Sequence, residues 1–161
     1  MQDAWSGGMS YVDGYIFPDY SKGNGAQQVK DTVNYLASNG LKHVSRPHDD
    51  SSPALTAEEV ENFKSTYGML WLDIEGTQYW SSSTSSNVAF IRDMYNECKA
   101  LGVSCGMYTS KSQWDPITGG DTSFGDMPLW YAHYDNNPSF SDFSAFGGWS
   151  KPAIKQYAGD V

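Results

Sequence analysis

Two carboxylates, Asp73 and Glu75, close an otherwise apolar run in Leu70-Trp71-Leu72-Asp73-Ile74-Glu75-Gly76. On a strand, residues two apart project to the same side, so this spacing puts both acids on one face. Neighbouring carboxylates resist ionising together. One is driven to hold its proton while the other stays charged. An acid beside a base is the division of labour that cleavage of a glycosidic bond needs. Asp-x-Glu at a solvated strand end would be commonplace. The apolar run before it and the aromatic Gln78-Tyr79-Trp80 after it favour a site.

Aromatic residues gather at other expected strand ends: Tyr15 and Phe17, Tyr108, and Trp130, Tyr131 and Tyr134. Any one of them is an ordinary core residue. Their repetition at strand ends suits a wall for sugar rings, since aromatic faces take apolar ring faces and phenol or indole groups add hydrogen bonds. Other chemistries lack their patterns. No glycine-rich phosphate loop and no Gly-x-Ser-x-Gly elbow occurs. His43, His48 and His133 have no metal-ligand spacing, and His48-Asp49-Asp50 reads as a solvated loop. No metal and no cofactor is expected. Asp135-Asn136-Asn137-Pro138 is a turn or a site loop, with the turn favoured.

The elements that must position these residues alternate. Tyr11–Phe17 reads as a strand, followed by a helix over Ala26–Asn39 with Val29, Val33 and Leu36 at helical spacing and Gly40 as its stop. Leu41–Ser45 is a short strand and His48–Pro53 a loop. Thr56-Ala57-Glu58-Glu59 has the capping-box pattern, with Leu55 and Val60 as its staple, and opens a helix to about Thr66. Met69–Ile74, Val103–Tyr108, Met127–Tyr134 and Ala153–Tyr157 are further strands. Val88–Leu101 is a helix stopped by Gly102, and the serines of Ser81–Ser86 form a loop able to cap it. Strands alternating with helices give an α/β protein with a parallel sheet, either open and doubly wound or closed as a barrel. In a barrel, Asp73 and Glu75 would stand at the C-terminal rim, where barrel enzymes build their sites.

The chain has 161 residues, enough for one domain with a real core. Its net charge of −9 repels phosphates, which argues against nucleic acid and against simple attraction to anionic walls or lipids. No run is long and apolar enough to span a membrane, and Met1-Gln2-Asp3-Ala4-Trp5 is not a signal peptide. Cys98 and Cys105 are open to two readings, a disulfide or two small buried apolar residues.

Several stretches together resemble glycoside hydrolase family 25, in particular its eukaryotic branch. They are Tyr11-Val12-Asp13-Gly14-Tyr15-Ile16-Phe17-Pro18, Leu70 to Gly76, Gly106-Met107-Tyr108-Thr109-Ser110, Leu129-Trp130-Tyr131-Ala132-His133-Tyr134 and Lys155-Gln156-Tyr157. The resemblance implies an irregular or incomplete β/α barrel of the TIM type with parallel strands. It implies a lysozyme acting on the β-1,4 bonds of peptidoglycan or a related amino-sugar glycan, and a secreted or digestive-vacuole location. Glu75 matches the family's general acid and Asp73 the neighbouring carboxylate, in a mechanism open to assistance by the substrate's N-acetyl group. Tyr15, Phe17, Trp80, Tyr108, Trp130, Tyr134, Asp135 and Gln156 are the expected substrate contacts. The chain departs from the family pattern in three places. The match begins near Tyr11, at what looks like a third strand, without the family's opening Asp. Asp160 does not match its closing Asp. A segment at about 43–66 is additional. A barrel short of strands exposes edges. The extra segment could replace lost structure, two copies could complete each other by swapping, or the chain could be a rearranged or engineered version of the family. A non-catalytic glycan-binding or structural derivative of the fold is the alternative to an enzyme.

Overall fold

The computed structural model describes residues 1–45 and 56–159. The loop expected at His48–Pro53, with His48-Asp49-Asp50 in it, the staple residue Leu55, and Asp160 lie outside the described residues. In chain order the elements are α1 (Gln2–Ser6), β1 (Gly14–Ile16), α2 (Gly25–Ser38), β2 (Lys42–His43), α3 (Ala57–Phe63), β3 (Thr66–Tyr67), β4 (Leu70–Asp73), α4 (Thr84–Leu101), β5 (Cys105–Thr109), α5 (Lys111–Thr118), β6 (Leu129–Ala132) and β7 (Ile154–Gln156). Short 3-10 turns cover Tyr20–Lys22 and Thr77–Tyr79. The main sheet is parallel throughout, in the order β1-β4-β5-β6-β7. Among the described residues no strand joins β7 back to β1, so the sheet is an open arc, an incomplete barrel.

The two faces of the arc differ. Leu70, Leu72 and Ile74 meet Met107, Leu129 and Tyr131 and the helix residues Val29, Phe90, Ile91, Met94, Trp114 and Ile117 in one apolar core. All of β4 is buried, the pattern of a strand covered on both sides. Helix α4 buries Asn87, Phe90, Ile91, Met94 and Cys98, one stripe at helical spacing. Burying each of its large apolar side chains contributes about 1.5–3 kcal/mol. Ser83 caps its start by accepting from Ser86 N–H, and Gly102 ends it at φ 66°. The helix therefore begins at Thr84, earlier than Val88. Gly25 lets α2 approach closely, because a Cβ there would lie 2.9 Å from the Phe90 carbonyl.

Other expectations need correction. Helices α1 and α5 have no counterpart among the elements expected from the sequence. α1 is a single short turn, and α5 carries Pro116 inside it. Helix α3 has its capping box, with Thr56 and Glu59 bonded reciprocally, but stops at Phe63 so that Thr66–Tyr67 can pair with β2. The described part of the additional segment thus supplies β2, α3 and β3. It docks on α1, where Trp5 stacks on Phe63 at 5.5 Å and donates to the Thr66 carbonyl at 3.0 Å. His43 Nε2 accepts from Ser104 N–H at 3.1 Å, tying the same segment to the start of β5. Cys98 and Cys105 form a disulfide between the last turn of α4 and the first residue of β5.

Candidate active site

The second face of the arc carries the polar and aromatic residues. In parallel strands, residues in register share a face, and Asp73 pairs with Tyr108, Tyr108 with Trp130, and Trp130 with Ile154. Tyr15 stands beside Trp71 on the β1 side. Trp71 and Trp130 meet edge to face at 5.7 Å, and Trp130 and Tyr108 at 4.8 Å. Trp71 lies flat over β5 because position 106 is glycine. A Cβ there would sit 2.3 Å from the indole and 2.9 Å from the Pro128 carbonyl. Asp13 accepts from Trp71 Nε1 at 2.9 Å and from Met69 N–H at 3.0 Å, fixing the indole from below.

Tyr15, Asp73, Glu75, Tyr108, Trp130 and Gln156 line one cavity of about 200 Å³. Hollows of about 420 and 520 Å³ lie elsewhere, but neither contains two carboxylates, so size does not pick out the chemistry. Asp73 is 7% exposed and its carboxyl is pushed up to about 7, first by burial and then by the charge of Glu75. Glu75 is half-buried at the mouth. Tyr108 donates to Gln156 Oε1 at 2.6 Å, and burial, then the Tyr134 phenol, raises its own pKa. Asp73 Oδ1 and Trp130 Nε1 are both buried without a hydrogen-bond partner in the chain. An acceptor and a donor left unmatched in one cavity mark a place where a polar ligand would be matched.

The remaining expected contacts are placed differently. Phe17 meets Tyr79 edge to face at 5.8 Å in the 520 Å³ hollow, outside the carboxylate cavity. Trp80 packs between Tyr20 and Phe90 and turns its indole N–H to the Glu75 carbonyl at 2.9 Å. It supports the Glu75 backbone rather than forming a wall. Tyr134 is 55% exposed and touches the site through Tyr108. Asp135 joins an ion-pair cluster. Lys155 Nζ, with its side chain buried, donates at 2.7 Å to Asp135 Oδ2 and at 2.7 Å to Asp142 Oδ1. His133, Asp135 and Asp142 could hold a cation by distance alone, with ligand atoms within 4.8 Å. The Lys155 ammonium already matches both acids. The Lys155–Asp142 pair and the groups behind Glu75 are not evident from sequence reasoning. Alternation along β7 was the available signal, since it turns Lys155 away from the face that carries Gln156.

The family model described as lysozyme-like protein 1 matches residues 50–157. The chain is 48% identical over 155 residues to "Probable GH family 25 lysozyme 2" of Dictyostelium discoideum, covering 96% of this chain and 61% of that protein. It is 43% identical over 150 residues to "Probable GH family 25 lysozyme 4" of the same organism, covering 93% and 59%. It therefore spans about three fifths of the length of these curated relatives. Among solved structures, a family GH25 lysozyme from Aspergillus fumigatus superposes with a TM-score of 0.65 at 26% identity, covering 96% of this chain and 64% of that one. A matching family model, two relatives bearing the family name and a shared fold agree that the chain belongs to the lysozymes of glycoside hydrolase family 25.

Proposed function

We propose that the chain hydrolyses the β-1,4 bond between N-acetylmuramic acid and N-acetylglucosamine in peptidoglycan, with Asp73 and Glu75 as its reacting carboxylates. The observation that carries this is the pair itself. A buried acid pushed to about 7 stands two residues from a half-buried one, in a cavity walled by Tyr108 and Trp130. The unmatched Asp73 Oδ1 and Trp130 Nε1 suit an acetamido group, which offers one N–H and one carbonyl oxygen.

The free pair favours the proton on Asp73, the buried member. An acetamido N–H donated to Asp73 would stabilise its carboxylate and shift the proton toward Glu75. Glu75 then protonates the glycosidic oxygen as the bond to the anomeric carbon breaks. The acetamido carbonyl oxygen closes on that carbon, and Asp73 steadies the positive charge on the ring so formed. Water reopens the ring and returns a proton to Glu75, so the enzyme ends as it began. Substrate binding would in this way arm the acid. The Cys98–Cys105 bond suits an oxidising compartment, in keeping with secretion or a digestive vacuole. No described helix is long and apolar enough to cross a membrane.

Clearing of a peptidoglycan suspension, with product analysis, tests the proposal. Wild type should clear it and Glu75→Gln should not. A second reading, glycan binding without cleavage, draws on the cavity holding only two carboxylates among its lining residues. A folded wild type that binds peptidoglycan fragments saturably, yet releases no product across a broad pH range, would replace the first reading with the second.

A further inference from the structure

Glu75 stands two residues beyond the end of β4, where the strand ladder no longer fixes the chain. The last ladder-like bond runs from Ile74 N–H to the Tyr108 carbonyl at 2.9 Å. Past it, three side chains from separate parts of the chain take over. Thr109 at the end of β5, 1% exposed, donates through Oγ1 to the Ile74 carbonyl at 2.7 Å. Trp80, beyond the 3-10 turn, donates through Nε1 to the Glu75 carbonyl at 2.9 Å. Gln113 on α5 accepts through Oε1 from Gly76 N–H at 2.9 Å. Three of the four polar groups of the two peptides flanking Glu75, the Ile74 and Glu75 carbonyls and the Gly76 amide, are thus tied to the scaffold. Gly76 turns the chain at φ 70°, a conformation that side chains rarely adopt, with Tyr79 packed where its Cβ would be.

We infer that Gln113 and Trp80 are positioning residues for Glu75, holding its backbone so that the carboxyl is aimed into the cavity. This rests on the proposed role of Glu75 as proton donor. A carboxyl on an untethered loop would sample many directions, whereas proton transfer needs hydrogen-bond reach of one oxygen. Part-buried bonds made by Gln113 and Trp80 to backbone hold the loop, and the Trp80 side chain, already packed, adds little cost in side-chain entropy. Trp80 is held by Tyr20 and Phe90, and Gln113 stands on α5, the helix that buries Trp114. Neither side chain lines the carboxylate cavity. Their effect would pass through Glu75 and leave substrate binding alone.

The test uses the full chain with Gln113→Met, Gln113→Glu and Trp80→Phe. Methionine keeps the length of Gln113 and loses its acceptor, glutamate keeps an acceptor oxygen, and phenylalanine keeps the ring packing of Trp80 and loses the N–H. Hydrogen exchange of the Gly76 amide and steady-state turnover on peptidoglycan are measured together with thermal midpoints. In Gln113→Met the Gly76 amide should exchange about tenfold faster. Its kcat should fall by about 10- to 100-fold with KM and the thermal midpoint held. Gln113→Glu should restore both readings, and Trp80→Phe should lower kcat alone. Wild-type kcat in Gln113→Met and Trp80→Phe, in an enzyme that Glu75→Gln abolishes, overturns the inference. A wild type that never cleaves overturns the proposed function instead. In that case unchanged Gly76 exchange in Gln113→Met overturns the clamp by itself.

Discussion

Replacing Asp73 with Asn should stabilise the protein at neutral and alkaline pH and change little in acid. Burial and the Glu75 charge raise the Asp73 carboxyl from 3.8 to about 7. In the unfolded chain it ionises near 3.8, so between these values the folded state holds one more proton than the unfolded state. Folding stability therefore falls as pH rises through this window, and the full cost is present above about 7. The interval from 3.8 to about 7, at about 1.4 kcal/mol per pH unit, gives roughly 4 kcal/mol, an upper bound because the site relaxes around the charge. Since Asp73 is 7% exposed, solvent screening takes little from this figure. The amide of the Asp73→Asn protein never acquires the charge. In guanidinium chloride unfolding with the disulfide intact, the two proteins should differ little near about pH 4. The gap should open steadily and level off near about pH 8 with Asp73→Asn ahead by about 2–4 kcal/mol. In thermal melts this corresponds to roughly 10 °C. Parallel pH dependences in the two proteins would refute the reasoning, since they would show that Asp73 ionises in the fold as it does in the unfolded chain. Loss of the pH dependence only in Glu75→Gln would assign the cost to the pair rather than to burial.

Four further outcomes follow from the same contacts. Glu75→Gln should lower turnover by at least about 100-fold while leaving fragment binding intact, as measured by product release and by titration calorimetry. Wild-type kcat/KM should fall as pH rises through about 7, where Asp73 of the free enzyme loses the proton that substrate binding hands to Glu75; a kcat/KM that keeps rising beyond that point would contradict the assignment. Gly106→Ala should cost about 1–3 kcal/mol in denaturant unfolding, because its methyl group meets the Trp71 ring and the Pro128 carbonyl. Replacing Cys98 and Cys105 together by Ser should cost about 2–3 kcal/mol, the loop closed by the bond being short.

Much of this architecture is legible in the sequence because its determinants are local. The apolar run at Leu70 declares a strand covered on both sides, and Ser83 and Gly102 bracket α4 with a cap and a left-handed stop. The capping box at Thr56 is equally plain. Helix α5 escapes because Pro116 speaks against a helix, yet packing of Trp114 and Ile117 outweighs the bond that proline omits. In the site, the Asp73–Glu75 face follows from alternation, and so do Tyr108 and Trp130 beside it. Trp80 does not. Its place in a loop after the acids suggests a sugar platform, whereas Tyr20 and Phe90, distant in sequence, draw the ring under the loop. Phe17 and Asp135 miss the cavity for similar reasons, one held by Tyr79 and the other by Lys155. Such partners belong to tertiary packing, and no spacing in the chain encodes them.

The strand order also sets a schedule for assembly. Strands β4, β5, β6 and β7 each lie beside the next in sequence, so Met107 meets Leu129 and Trp130 meets Ile154 over short stretches of chain. Strand β1 instead pairs with β4 across the whole of α2, β2, α3 and β3, Gly14 against Leu70. Closing the longer loop costs more chain entropy before any pairing offsets it. In refolding followed by pulsed hydrogen exchange, the Met107 amide on Pro128 should gain protection before the Gly14 amide on Met69. Early protection at Gly14 would reverse the order. In the expected order the wall carrying Tyr15 is the last to arrive, and the newly folding chain holds both carboxylates before it has a complete cleft.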